Sequence, residues 1–343
     1  MWPRKRQGPA EPGRIERLSL ESQALRGNRL GDPHVREVPV YLPPGYDQGD
    51  RRYPVACYLA GFLGTGHSQL NWKPFAEALP QRLDRLISLG RIGPMIVVFP
   101  DCFTRLGGSQ YIDSSVCGDY ARYLVQEVVP LVDASFRTAV HRDHRAVFGK
   151  SSGGFGAIVQ AMLHPDTWGA FACHSGDSYF DFCFRADLPR TATEVGRHGS
   201  IPAFLEAFAG KPKHSSAETH AVMHVAMAAC FDPQPDHPDG FELPVDLHTG
   251  ALDPERWERW LRWDPVRMIP EHADALRSMR AAYVDCGNRD QYHLHFGARQ
   301  MRDALQGIGV KVTYDEFPDN HSSIDYRMDV SLPLLWKAIS RGL

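Results

Sequence analysis

The stretch Phe148-Gly149-Lys150-Ser151-Ser152-Gly153-Gly154-Phe155-Gly156 decides how this chain folds. Ahead of it, Arg145 to Phe148 is apolar enough for a buried strand, and behind it Ala157 to Leu163 continues with helical character. A strand, a sharp turn and a helix with a serine at the bend form the pattern of a nucleophile elbow. There the central residue is held in strained backbone, and the positions two before and two after must be small so that strand and helix can approach. Ser151 is flanked in this way by Gly149 and Gly153, whereas Ser152 would place Lys150 at the crowded position. Ser151 is therefore the candidate nucleophile. Ser152 opens the helix, where its backbone N–H can face a developing oxyanion. Phosphate-binding or merely structural glycine turns are the competing readings of the same glycines.

Outward from the elbow, strand patterns fall at 36–41, 55–59, 95–99, 145–148, 170–173, 281–285 and 311–316, with helical patterns such as 120–129 and 296–305 between them. Alternating strands and helices imply an α/β fold, a mostly parallel central sheet with helices on both faces. Residues 1–13, rich in Pro, Arg and Gly, read as a flexible tail, and 14–343 as a single domain. The alternation breaks over about 177–264, where helical patterns at 201–209 and 217–231 sit among prolines and histidines; this long segment reads as a cap or lid insertion over the site.

Composition limits what the chain does. Its 343 residues, 43% hydrophobic and 23% charged, can bury a sizeable core without disulfides or metal, and the net charge of −3 offers no basic field for nucleic acid. No run approaches the ~18 apolar residues of a membrane span. The basic start Met1-Trp2-Pro3-Arg4-Lys5-Arg6 is not followed by the apolar run of a secretory signal, and the seven scattered cysteines read as reduced core thiols, so a cytoplasmic location is expected.

A serine hydroxyl needs a base, and the base a carboxylate. The last strand pattern runs into Pro318-Asp319-Asn320-His321, which makes His321 the candidate base. The strand Tyr283-Val284-Asp285-Cys286 runs into Gly287-Asn288-Arg289-Asp290; Asp290, in the loop beyond the strand end, is preferred as the acid over Asp285 within the strand. The resulting order is Ser, Asp, His along the chain. For the second oxyanion donor, the loop Gly61-Phe62-Leu63-Gly64 after an early strand points to the Phe62 amide, with Leu63 next.

Together these segments resemble the putative esterase family of α/β-hydrolases, which includes esterase D-like S-formylglutathione hydrolases, enterochelin esterase-like proteins, feruloyl and acetyl-xylan esterases, and mycolyltransferases. The resemblance runs from about Val35 through Val40-Tyr41-Leu42-Pro43-Pro44-Gly45-Tyr46, Val98-Phe99-Pro100-Asp101, Val132-Asp133-Ala134-Ser135-Phe136-Arg137-Thr138, the serine motif, Asp285 to Asp290, and Asn320-His321. It implies an α/β-hydrolase fold and cofactor-independent hydrolysis of carboxylic esters through an acyl-enzyme. The implied residues are Ser151, Asp290 and His321, with the amides of Phe62 and Ser152 as the oxyanion hole. Lys150 and Ser152 depart from the family's usual serine motif, and the insertion is long; both bear on substrate choice. Acyl transfer from the same acyl-enzyme, and a non-catalytic binding protein on the same scaffold, are the alternatives.

Asp101, Tyr111 and Asp113, in the loop after the third strand pattern, and His174, Asp177 and Tyr179, after the strand that follows the elbow helix, are candidates for substrate contacts alongside Leu63. His220 and His224, one helical turn apart with His214 nearby, raise the question of a metal, but the pair lacks the intervening Glu of the zinc-protease motif and is read as packing, so no metal site is assigned. Trp257, Trp260 and Trp263 are likewise read as packing rather than a stacking platform. The expected partner is a small-molecule ester, with self-association into a homo-oligomer left open.

Overall fold

The computed structural model describes residues 11–343; the expected tail at 1–13 and the basic start therefore lie mostly outside the described residues. Eight strands make one sheet: β1 (Arg14–Glu21), β2 (Val35–Leu42), β3 (Val55–Leu59), β4 (Ile96–Val98), β5 (Arg145–Lys150), β6 (Ala170–His174), β7 (Ala281–Gly287) and β8 (Val312–Phe317). Their spatial order is β1-β2-β4-β3-β5-β6-β7-β8. β2 pairs antiparallel with both β1 and β4, and all pairings from β4 to β8 are parallel. Because parallel neighbours share direction, the C-terminal ends of β3, β5, β6, β7 and β8 open at the same edge, where an open α/β sheet places its site.

The pleat sends alternate residues to opposite faces. Cys57, Leu59, Val147, Cys173 and Val284 enter one buried layer; Ala56, Tyr58, Phe148, Ala172 and Tyr283 enter the other. The second layer is closed by α1 (Leu79–Ser88), whose Leu79, Leu83 and Leu86 recur at helical spacing, and by Leu332, Leu335 and Ile339 of the C-terminal helix. The first layer is covered by α2 (120–135, with a π-helical turn over Tyr123–Val128), α3 (Ser152–Leu163) and helices of the long segment after β6.

That segment contains α4 (Leu188–Gly196), α5 (Ile201–Ala209), α6 (Ser216–Phe231) and α7 (Pro254–Leu261). Local chemistry starts each of the last three. Ser200 caps α5 by accepting from the Ala203 amide, Ser215 and Glu218 form a reciprocal capping box on α6, and Asp253 accepts from the Glu255 and Arg256 amides of α7. Asp264, almost fully buried, accepts from the amides of Tyr179 at 3.0 Å and Phe180 at 2.7 Å, so the chain leaving β6 is tied to the place where the segment returns. Trp257 and Trp260 are buried, with Trp260 packed against Phe184 and Phe231, and Trp263 stacks on Phe231. These rings build a core rather than a surface platform. Beyond it α8 (Leu294–Gly307) follows β7, and α9 (Met328–Ile339) completes the chain.

β1 is the strand that the sequence patterns do not announce. It is an edge strand of only partly buried and exposed residues, Ile15 packing into one layer and Leu18 and Leu20 into the other among Arg14, Glu16, Arg17 and Glu21. No helix among the described residues is long and apolar enough to cross a membrane.

Candidate active site

Ser151 stands between β5 and α3 with φ 58° and ψ −128°, a positive-φ conformation that a non-glycine residue adopts only when its surroundings impose it. The flanking glycines supply the imposition. A Cβ on Gly153 would lie 1.9 Å from the Leu59 carbonyl oxygen, and one on Gly149 would lie 2.4 Å from the same atom. Strand β3, the elbow and the first turn of α3 therefore meet at backbone contact. The Ser151 amide donates to the His174 carbonyl at 2.9 Å, and the Ser151 carbonyl accepts from the Phe155 amide at 2.9 Å.

Asp290 and His321 come together from the loops after β7 and β8. His321 Nδ1 lies 2.7 Å from Asp290 Oδ2, while Asp290 Oδ1 accepts from the Tyr292 amide at 2.9 Å. The Tyr292 ring meets the His321 ring edge-on, centroids 4.9 Å apart, and Gln291 Oε1 accepts from the His321 amide at 3.0 Å. Both members of the pair are almost completely buried, so the imidazole has little rotational freedom. Asp285 faces elsewhere. Its carboxylate meets His174 Nδ1 at 2.8 Å, the Tyr283 hydroxyl at 2.8 Å and Arg327 Nε at 3.0 Å, and it does not line the cavity.

Ser151 and His321 line one cavity of about 690 Å³, together with Phe62, Leu63 and Asp177. The Phe62 loop is held by its carbonyl, which accepts from the Gly108 amide at 2.9 Å, and by its ring, which packs where a Cβ on Gly107 would fall. The amides of Phe62 and Ser152 have no acceptor among the described residues. The Ser152 side chain turns inward, donating to Asp177 Oδ2 at 2.9 Å and accepting from Gln110 Nε2 at 3.2 Å. Burial pushes the Asp177 carboxyl up to about 6, with the Ser152 hydroxyl and then the nearby His321 pulling it back.

Three residues expected to contact substrate are engaged by partners within the protein. Asp101 is taken by Arg36 at 3.0 Å, across the sheet edge. Tyr111 is buried beneath the Phe62 loop with its hydroxyl on the Ala60 carbonyl and its ring against Gly156. His174 is sealed between Asp285 and the Ser331 hydroxyl, 2.8 Å from each. Asp113 accepts from the Arg122 amide and Tyr179 packs on Phe182, and neither lines the cavity. Of the histidines on α6, His220 lines the cavity with Nε2 3.3 Å from the Tyr292 hydroxyl. His224 turns inward to Thr191, and burial pushes it down to about 4. His214 also lines the cavity, on the segment before α6. Sequence reasoning missed Lys73, Met223, Tyr292 and Asp325 as lining residues. Tyr292 lay two residues beyond Asp290 in the same loop, a signal that was available.

A model of the Esterase (putative esterase) family matches residues 33–329, most of the chain. The chain belongs to the Esterase family. Among curated relatives of this esterase-family chain, the endo-1,4-beta-xylanase/feruloyl esterase of Xylanibacter ruminicola is 31% identical over 144 residues, 41% of this chain and 19% of that protein. Esterase Rv1288 of Mycobacterium tuberculosis is 34% identical over 140 residues, 40% of this chain and 28% of that protein. The match thus spans less than a third of either relative's length. Among solved structures, a ferulic acid esterase superposes with a TM-score of 0.60 at 19% identity, covering 96% of this chain and 99% of that one. The S-formylglutathione hydrolase from Agrobacterium tumefaciens gives 0.56 at 18% identity, covering 95% and 96%. These likenesses establish the α/β-hydrolase fold for the Esterase-family chain.

Proposed function

We propose that this protein hydrolyses carboxylic esters through a covalent acyl-enzyme on Ser151. The observation that carries the reading is that a strained elbow serine opens into the same cavity as a histidine hydrogen-bonded to a buried carboxylate. His321 Nε2 takes the Ser151 proton as Oγ attacks the ester carbonyl, while Asp290 holds Nδ1–H and stabilises the imidazolium. The amides of Phe62 and Ser152 donate to the oxyanion. His321 then protonates the leaving alcohol, and a water deprotonated by His321 releases the acid and frees Ser151. Membership of the Esterase family, with relatives named feruloyl esterase and S-formylglutathione hydrolase, supports ester or thioester chemistry at this site. Of the long segment after β6, α6 and the turn ahead of α4 act as the cap, since His220 and Met223 on α6 and Phe184 before α4 line the cavity.

Turnover of p-nitrophenyl acetate and butyrate by wild type and Ser151→Ala tests the reading. Hydrolysis is expected in the wild type and a loss of at least about a thousandfold in the variant. Undiminished turnover in Ser151→Ala overturns it.

A further inference from the structure

The cavity has a second polar cluster that the ester-cleaving groups do not use. Lys150 closes β5 on the face of the pleat that also carries Phe148 and Tyr58. Beside it, the Tyr58 hydroxyl accepts from Gln69 Nε2 at 3.0 Å, Gln69 Oε1 lies 3.5 Å from Lys73 Nζ, and Lys73 pairs with Asp325 at 3.0 Å. All five residues line the cavity. The two ammonium groups differ in one respect. Lys73 has its carboxylate, whereas Lys150 has no ion pair or side-chain hydrogen bond among the described residues.

An ammonium withdrawn from water without a partner is costly, and the cost is relieved when an anion is brought to it. Burial pushes the Lys150 ammonium down from its ordinary value, with Asp325 and Asp290 pulling it back. Phe184, Met223 and Leu294 supply apolar lining to the same cavity, among the polar side chains of His214, Ser216, Thr219 and His220. The cavity thus holds, with the nucleophile, apolar side chains for a hydrocarbon group and a cluster of two ammonium groups against one carboxylate, Asp325.

We infer that Lys150, backed by Lys73, forms a subsite for an anionic group, a carboxylate, on the ester substrate, whose other half is apolar and lies against Phe184 and Met223. Lys150 makes the direct contact. Lys73, held by Gln69 and Asp325, offsets the Asp325 carboxylate that would otherwise repel an anion at Lys150. The inference rests on the ester-hydrolase reading for which half of a substrate is cleaved, but the anion site itself is testable without turnover.

Two ester pairs test it, one for each side of the scissile bond: p-nitrophenyl hydrogen succinate against p-nitrophenyl butyrate, and 4-acetoxybenzoate against phenyl acetate. The readout is the ratio of kcat/KM for the anionic over the neutral member, in wild type, Lys150→Met, Lys150→Arg and Lys73→Met. On the side that faces Lys150, the ratio is expected to fall at least about tenfold in Lys150→Met, less in Lys73→Met, and to be largely kept in Lys150→Arg. Ratios unchanged by Lys150→Met in both pairs, with all esters slowed alike, overturn the proposal and leave Lys150 a structural neighbour of the serine. Calorimetry with 3-phenylpropanoate and its amide gives a second measure independent of hydrolysis. Wild type is expected to prefer the carboxylate about tenfold and Lys150→Met to lose that preference; equal affinities in the wild type overturn the subsite. Carboxylate-selective binding without any ester turnover would instead contradict the hydrolase reading and leave the subsite standing.

Discussion

The imidazole of His321 is held 2.7 Å from the carboxylate of Asp290 at the cavity wall, while a second pair, His174 and Asp285, stands 2.8 Å apart where no substrate reaches. The two pairs have the same chemistry and opposite surroundings, so their variants separate. Asp290→Asn is expected to lower kcat/KM by about a thousandfold or more, through loss of the tautomer and of imidazolium stabilisation, with little change in melting temperature. Asp285→Asn removes the buried charge that pairs with Arg327 and His174, leaving Arg327 its Asp315 pair and His174 its Ser331 contact. It is expected to cost about 3 kcal/mol or more in stability, read by urea unfolding, with kcat near wild type in the protein that remains folded. The reverse pattern would assign the acid to Asp285.

The backbone of Ser151, at φ 58° and ψ −128°, stores strain that glycine would not. Ser151→Gly is therefore expected to be inactive and more stable than Ser151→Ala, by about 1 kcal/mol in urea unfolding. Equal stability of the two would mean that the elbow is unstrained.

Gly153 is closed to any side chain, its added Cβ falling 1.9 Å from the Leu59 oxygen. Gly153→Ala must push β3 away from α3, and is expected to destabilise by about 3 kcal/mol or to prevent folding. Gly199→Ala, at a turn with nothing within 4 Å of the added carbon but a φ of +79°, is the milder comparison, with a cost of about 1 kcal/mol.

Asp177 links stability to pH. Its carboxyl is raised to about 6 from an ordinary 3.8, chiefly by burial, so the folded protein holds a proton that the unfolded chain has released across that interval. Stability contributed by the protonated form is present below about 3.8 and is lost as pH rises through about 6. Asp177→Asn cannot ionise and retains an acceptor for Ser152. Its melting temperature is expected to exceed that of wild type above pH 7, by the equivalent of about 1–3 kcal/mol, and the gap should close toward pH 4. A gap independent of pH would show that the Asp177 charge is not what burial opposes.

The sheet and the elbow were legible in the sequence because they depend on local patterns. Apolar runs ending in glycine loops marked β3, β5 and β7, and the sizes of residues 149 and 153 selected Ser151 from two adjacent serines. Position after a strand end also drew attention to Asp290 and His321, which the fold brings within hydrogen-bonding distance. What position could not reveal was the direction of a side chain. Asp101 and His174 lie at the appropriate strand ends, yet Arg36, 65 residues away, captures the first, and Ser331 and Asp285 seal the second. The lysine cluster of the cavity was hidden for the same reason. Lys73 and Asp325 are 252 residues apart, and only the packing of α9 against the sheet brings them together.

The central claim is that Ser151 becomes acylated. Wild type and Ser151→Ala, each shown to be folded, are treated with a fluorophosphonate and analysed by intact mass and peptide mapping. The account requires one adduct per chain, on Ser151, and none in Ser151→Ala. An unlabelled wild type, or an adduct on Ser152 instead, would contradict it.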